Sequence, residues 1–180
     1  MGSIKNYKDL IKRVENFKID QNLDLSSGED LSIGIMNLIS IEEHLFYTSQ
    51  KTKDKKYLDI LNEVRVMRTG LLKEIIKEYE GEVWCISKHL LAASMRVMEV
   101  GTKALKKGDK RKAMELFNKA FKLYSLFWGI NLNLVGIDKV KQNNKKEVEF
   151  IDEKNNPKGS SSIFDKLGAV VQKAIDCCRE

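Results

Sequence analysis

The chain has 180 residues, the length of one domain with room for a tail, and its 42% hydrophobic share is enough for a core. Charged residues make up 32% and the net charge is +6, a balance that suits amphipathic helices with solvated outer faces and tolerates phosphate or anionic partners without requiring them. Three cysteines, Cys85, Cys177 and Cys178, make no disulfide framework, no N-terminal apolar core reads as a signal peptide, and no apolar run reaches about 18 residues, so we expect a cytoplasmic protein without a membrane span.

Apolar residues recur at helical spacing along the chain. Ile4, Tyr7, Leu10, Ile11, Val14 and Phe17 predict a short helix over 4–18. Ser26-Ser27-Gly28-Glu29 has the form of a capping box and opens a long helix over 29–50. Past the basic connector 51–56, a second long helix runs over 54–79, with Tyr57, Leu61, Val64, Leu71, Leu72, Ile75 and Tyr79 on one face. Glu80-Gly81 breaks it. A third long helix, 82–106, holds the small patch Ala92-Ala93-Ser94. Gly108-Asp109 ends it and starts a fourth, 109–131, which buries Ala113, Leu116, Phe117, Ala120, Leu123, Tyr124, Phe127 and Trp128. Residues 141–160 are polar and read as a linker. A capping box at Ser162–Asp165 then opens a C-terminal amphipathic helix within 161–180, which docks on the bundle or on a partner. The expected fold is all-α. Four long helices form an antiparallel up-down bundle over 1–140, flanked by short N- and C-terminal helices.

Projected at 100° per residue, Glu42 falls in the middle of an apolar face defined by Leu31, Ile35, Leu38, Leu45 and Phe46. Arg68 falls in the middle of the Leu61/Val64/Leu71/Leu72/Ile75 face, and Tyr124 at the centre of its own stripe. A buried carboxylate without a partner costs several kcal/mol, roughly, so pairing is required. The folding levels predict a Glu42–Arg68 ion pair, with Tyr124 as a hydrogen-bond donor. Such a layer fixes helix register, or, if it is open, lines a ligand pocket.

Glu82, Cys85 and His89 stand at i, i+3 and i+7 on one side of the third helix. They are the metal candidates, since zinc accepts all three ligand types. Against them, Cys85, Lys88, His89, Arg96, Glu99 and Lys103 form the only polar stripe of an apolar helix, which reads as its solvent edge. No metal and no cofactor is expected. Two basic connectors, Lys51, Lys53, Lys55, Lys56 and Lys106, Lys107, Lys110, Arg111, Lys112, come to one end of an up-down bundle. That end is a candidate nucleic-acid or anion surface. No aromatic residues interleave with these lysines, so base stacking is not expected there.

Residues 100–120 read Val-Gly-x-x-Ala-x-x-x-Gly-Asp-x-x-x-Ala-x-x-x-Phe-x-x-Ala. Gly101, Ala104, Gly108, Ala113, Phe117 and Ala120 resemble one helix-turn-helix unit of the tetratricopeptide repeat family. The likeness implies a close-packed hairpin; without a second copy in the chain it does not carry over that family's peptide groove. Residues 80–96 resemble uncharacterised helical proteins of bacteria with small genomes, which implies no activity. The leading expectation is a non-enzymatic interaction protein that binds another protein or itself through the C-terminal helix. The alternatives are an accessory nucleic-acid-binding protein using the basic end, and a ligand- or metal-binding bundle, or an enzyme, using Glu42/Arg68 or Cys85/His89.

Overall fold

With no proline before Pro157, little in the chain interrupts a helical ladder until glycine or a polar pair does so. The structure, a computed structural model, describes residues 7–16, 25–77, 81–135 and 162–174. Among them there are six helices and no strand: α1 (Tyr7–Glu15), α2 (Ser26–Thr52), α3 (Lys56–Ile75), α4 (Glu82–Lys106), α5 (Lys110–Asn131) and α6 (Ile163–Ala174). The fold is all-α. No helix is long and apolar enough to cross a membrane, among the described residues. The predicted linker 141–160, Phe17, Tyr79, Cys177 and Cys178 lie outside the described residues.

The helix ends follow local chemistry, with two departures from expectation. Gly108 (φ 83°) turns the chain out of α4, and the Asp109 side chain accepts the Lys112 N–H at 2.9 Å to cap α5. At α6, the Ser162 N–H donates to Asp165 Oδ2 at 3.0 Å and the Asp165 N–H to Ser162 Oγ at 3.3 Å, a reciprocal capping box. The Ser26–Glu29 box does not form as expected: α2 starts at Ser26 itself, its N-cap is Leu25, and no side chain caps it. The buried Leu25 is held in the core instead. α3 ends at Ile75 rather than 79, because Ile76 leaves the helix in an extended conformation and is completely buried.

Two antiparallel hairpins make the body. In the α2–α3 hairpin, Glu42 faces Arg65 and Arg68. In the α4–α5 hairpin, Ser94 Oγ donates to the Ala120 carbonyl at 2.9 Å, and Asn131 Nδ2 reaches Ser87 Oγ at 3.3 Å. The α4 backbone at Gly101 packs directly on the Phe117 ring of α5, where a Cβ would lie 2.6 Å from Phe117 Cε1. Packing proceeds from α3 to α2, from α2 to α4, from α4 to α5, from α5 to α6 and from α6 to α1. The main core holds Ile35, Met36, Leu72, Ile76, Leu90, Leu91, Phe127 and Trp128. A second cluster, Val14, Leu134, Ile163, Leu167 and Val170, fixes α6 between α5 and α1. A Lys166–Glu15 ion pair ties α6 to α1.

The buried edge of α2 is displaced from the apolar face drawn from sequence. Ser32, Ile35, Met36, Glu42 and Ser49 are buried, whereas Phe46 is exposed. The serines pass the core because each satisfies itself: Ser32 Oγ donates to the Glu29 carbonyl and Ser49 Oγ to the Phe46 carbonyl, both at 2.7 Å.

Candidate functional site

α3 places Arg65 and Arg68 one turn apart, so both reach the same point on α2. Arg68 Nε donates to Glu42 Oε1 at 2.7 Å, and Arg68 Nη2 to Oε2 at 3.3 Å. Arg65 Nε donates to Oε2 at 3.0 Å. Glu42 and Arg68 are buried, but the Arg65 side chain is 57% exposed. Burial pushes the Glu42 carboxyl up; the hydrogen bonds and charges of Arg68 and Arg65 outweigh it and hold the group below its ordinary 4.5. Both oxygens of an ionised Glu42 are therefore engaged. That suits a register-fixing pair, in which three hydrogen bonds from two arginines hold the carboxylate.

Arg65 was not singled out from the sequence. Its signal was the i,i+3 spacing to Arg68 at the shoulder of the same face. Tyr124 does not belong to this layer. Its hydroxyl pairs with Ser32 Oγ at 2.7 Å, ten residues from Glu42 and so about 15 Å along α2. The expected level was wrong because the α4–α5 hairpin meets α2 nearer its N-terminus, where Gly28 packs on the Trp128 ring. Burial raises the Tyr124 phenol above its ordinary 10. The Trp128 indole N–H is buried nearby without an acceptor among the described residues; it approaches Tyr124 but does not reach hydrogen-bonding geometry.

Two recesses flank α2. One, of about 480 Å³, opens beside the polar layer, between α2, α3 and α4. Ile39, Glu42, Arg65, Arg68, Trp84, Lys88, His89 and Ala92 line it. The other, of about 310 Å³, lies between α2, α4 and α5 and is nearly all apolar. Ile33, Met36, Met95, Met98, Phe117 and Phe121 form most of its walls.

The remaining sequence candidates do not assemble. Among the described residues no three His, Cys, Asp or Glu side chains converge to hold a metal, so Glu82, Cys85 and His89 form no such group. Cys85 and His89 are exposed on α4. Their helical spacing aligns them, but among the described residues no further His, Cys, Asp or Glu joins them to hold a metal. Lys53, Lys55, Lys56, Lys106, Lys107, Lys110, Arg111 and Lys112 are all exposed on two turns belonging to different hairpins. Lys56 is paired with Asp54 at 2.9 Å and Lys112 with Glu115 at 3.0 Å. Among the described residues no hydrogen bond or ion pair links one turn to the other.

Comparison with protein-family models, with curated proteins and with solved structures finds no match to this chain. The likeness of residues 100–120 to a tetratricopeptide hairpin rests on those residues alone.

Proposed function

We propose that this protein is a non-enzymatic helical interaction protein that receives an amphipathic helix of a partner protein in the groove between α2, α4 and α5. The observation that carries this reading is the groove itself. Ile33, Met98 and Phe121 are 43%, 41% and 37% exposed around a recess whose floor holds Met36 and Met95. Apolar residues gathered round a concave surface mark binding sites more than residues scattered singly do. Unbranched methionine side chains adapt to whatever apolar group enters. A partner helix inserting two residues at i and i+4 would gain about 1.5–3 kcal/mol for each large side chain buried. In this reading the four long helices, an up-down antiparallel bundle in outline, are the scaffold. The C-terminal helix is not the element offered to the partner, since its apolar face is engaged with α5 and α1. The Lys-rich turns are left as solubilising surface.

The test is site-specific photo-cross-linking in the native host. A photoreactive residue at Met98 is expected to give a discrete adduct, absent when it is placed at Glu63 on α3. Adding Ile33→Glu on the opposite wall should abolish the adduct while the helical circular dichroism is unchanged. An adduct that survives Ile33→Glu, or none at Met98, refutes the groove. An adduct of twice the chain mass replaces the partner with a second copy.

A further inference from the structure

The recess beside the polar layer carries an imbalance that the ion pair does not use. Three cationic side chains, Arg65, Arg68 and Lys88, line it against the single carboxylate of Glu42. Both Glu42 oxygens are already taken by Arg68 and Arg65. The donors are not exhausted. Arg65 is tethered through Nε, so its two terminal nitrogens stand at the far edge of a guanidinium that Glu42 holds in orientation, and they have no partner among the described residues. Lys88 and His89 likewise make no hydrogen bond or ion pair among the described residues. Arg68 Nη1 is occupied only by a long bond to Thr69 Oγ1, at 3.3 Å. A tethered guanidinium fork sharing a recess with an ammonium group suits an oxyanion, because both arms donate in one plane while the second cation neutralises the remaining charge.

The rest of the wall is of a different kind. Trp84, Ile39 and the small Ala92 supply an aromatic and apolar surface. The volume, about 480 Å³, lies within the range of small-molecule sites. Glu43, next to Glu42, is withdrawn from the balance by its own ion pair with Arg96. We infer that this cleft binds a small organic oxyanion, a phosphate or carboxylate group carried on a flat apolar body, with Arg65 and Lys88 holding the anion and Trp84 the body. Glu42 and Arg68 are then positioning residues: they hold the Arg65 fork. The site is separate from the apolar groove, so either can fail without the other.

The test uses the full chain and four probes: inorganic phosphate, phenyl phosphate, benzoate and uncharged benzyl alcohol, titrated by calorimetry. Lys88→Gln is the first variant, because Lys88 takes no part in the ion pair and its loss should leave the melting temperature unchanged. Phenyl phosphate or benzoate is expected to bind more tightly than benzyl alcohol, and the preferred one of the two identifies the anion. Lys88→Gln should weaken that probe roughly tenfold, the loss of one charged hydrogen bond. Trp84→Leu should weaken phenyl phosphate but not inorganic phosphate. Binding that is equal for the charged and uncharged probes, unchanged in Lys88→Gln, or absent at millimolar concentration for all four would overturn the inference.

Discussion

Removing Arg68 probes the polar layer most directly. In Arg68→Met the carboxylate stays where it is, with Glu42 only 8% exposed. It loses its shortest bond, 2.7 Å to Oε1, and the 3.3 Å bond to Oε2. It keeps the 3.0 Å bond from Arg65. Orphaning a buried charge entirely costs about 3–5 kcal/mol. With one of the two arginines left in place we expect about 2–3 kcal/mol. Arg65→Met is the internal control. Arg65 is largely solvated, and its removal leaves the buried pair intact, so it should cost under about 1 kcal/mol. The double change Glu42→Leu with Arg68→Met removes both buried charges and should be less destabilising than Arg68→Met alone, since only the solvated Arg65 then loses a partner. Urea unfolding measures all three, through a shift of midpoint at constant slope. If Arg68→Met costs no more than Arg65→Met, or the double change costs more than either single one, the layer is not holding α2 to α3.

The same carboxylate gives a pH dependence. Because its folded-state value lies below the unfolded one, its contribution is complete above about pH 4.5 and is lost as the pH falls through the folded-state value. Glu42→Gln should remove that part of the acid limb, and an unchanged difference between wild type and variant from pH 7 down to pH 3, roughly, would contradict the direction. Gly101→Val forces a branched side chain into the Phe117 ring between α4 and α5 and should cost about 1–3 kcal/mol, read as a lowered melting temperature. Lys53→Gly relieves a left-handed residue (φ 57°) at the end of α2 and should stabilise the chain by about 0.5–1 kcal/mol in the same assay. Leu167→Ala, at a fully buried position against α5, should cost about 2–4 kcal/mol and speed proteolysis after residue 135; equal cleavage rates would show that α6 is not held there.

Most of the helices could be read from the sequence because they are long, amphipathic and free of proline. The α4 and α5 boundaries could be read closely because Gly81 and the Gly108-Asp109 pair supply a break and a cap. The ends set by burial could not. No local signal says that Ile76 leaves α3 to enter the core, and its apolar character fits a longer helix equally well. The α2 face was misplaced for a related reason. Hydrophobic periodicity scores serine as polar, yet Ser32, Ser49, Ser87, Ser94 and Ser125 are all buried. Ser125 donates to the Phe121 carbonyl of its own helix and Ser94 to the Ala120 carbonyl of α5, so these residues act as small packing groups.

The candidate site divides along the same line. A charge in the middle of an apolar stripe is a one-helix observation, and Glu42 and Arg68 could each be found that way. Their pairing needed only a short connector between adjacent helices. The cleft needed a third helix at a particular level, and no projection supplies that. Lys88 and His89 read as the solvent edge of α4, and they are partly or largely solvated. What the sequence does not contain is that α2 lies across α4 so that this edge opens onto the Arg65–Glu42–Arg68 cluster while Ile33 and Met36, on the other flank, meet Met95 and Met98. A single crossing therefore builds both recesses, one charged and one apolar, on opposite flanks of α2. A substitution that changes that crossing should disturb both together, whereas Lys88→Gln and Ile33→Glu should each affect only one, and that contrast separates a local site from a distorted scaffold.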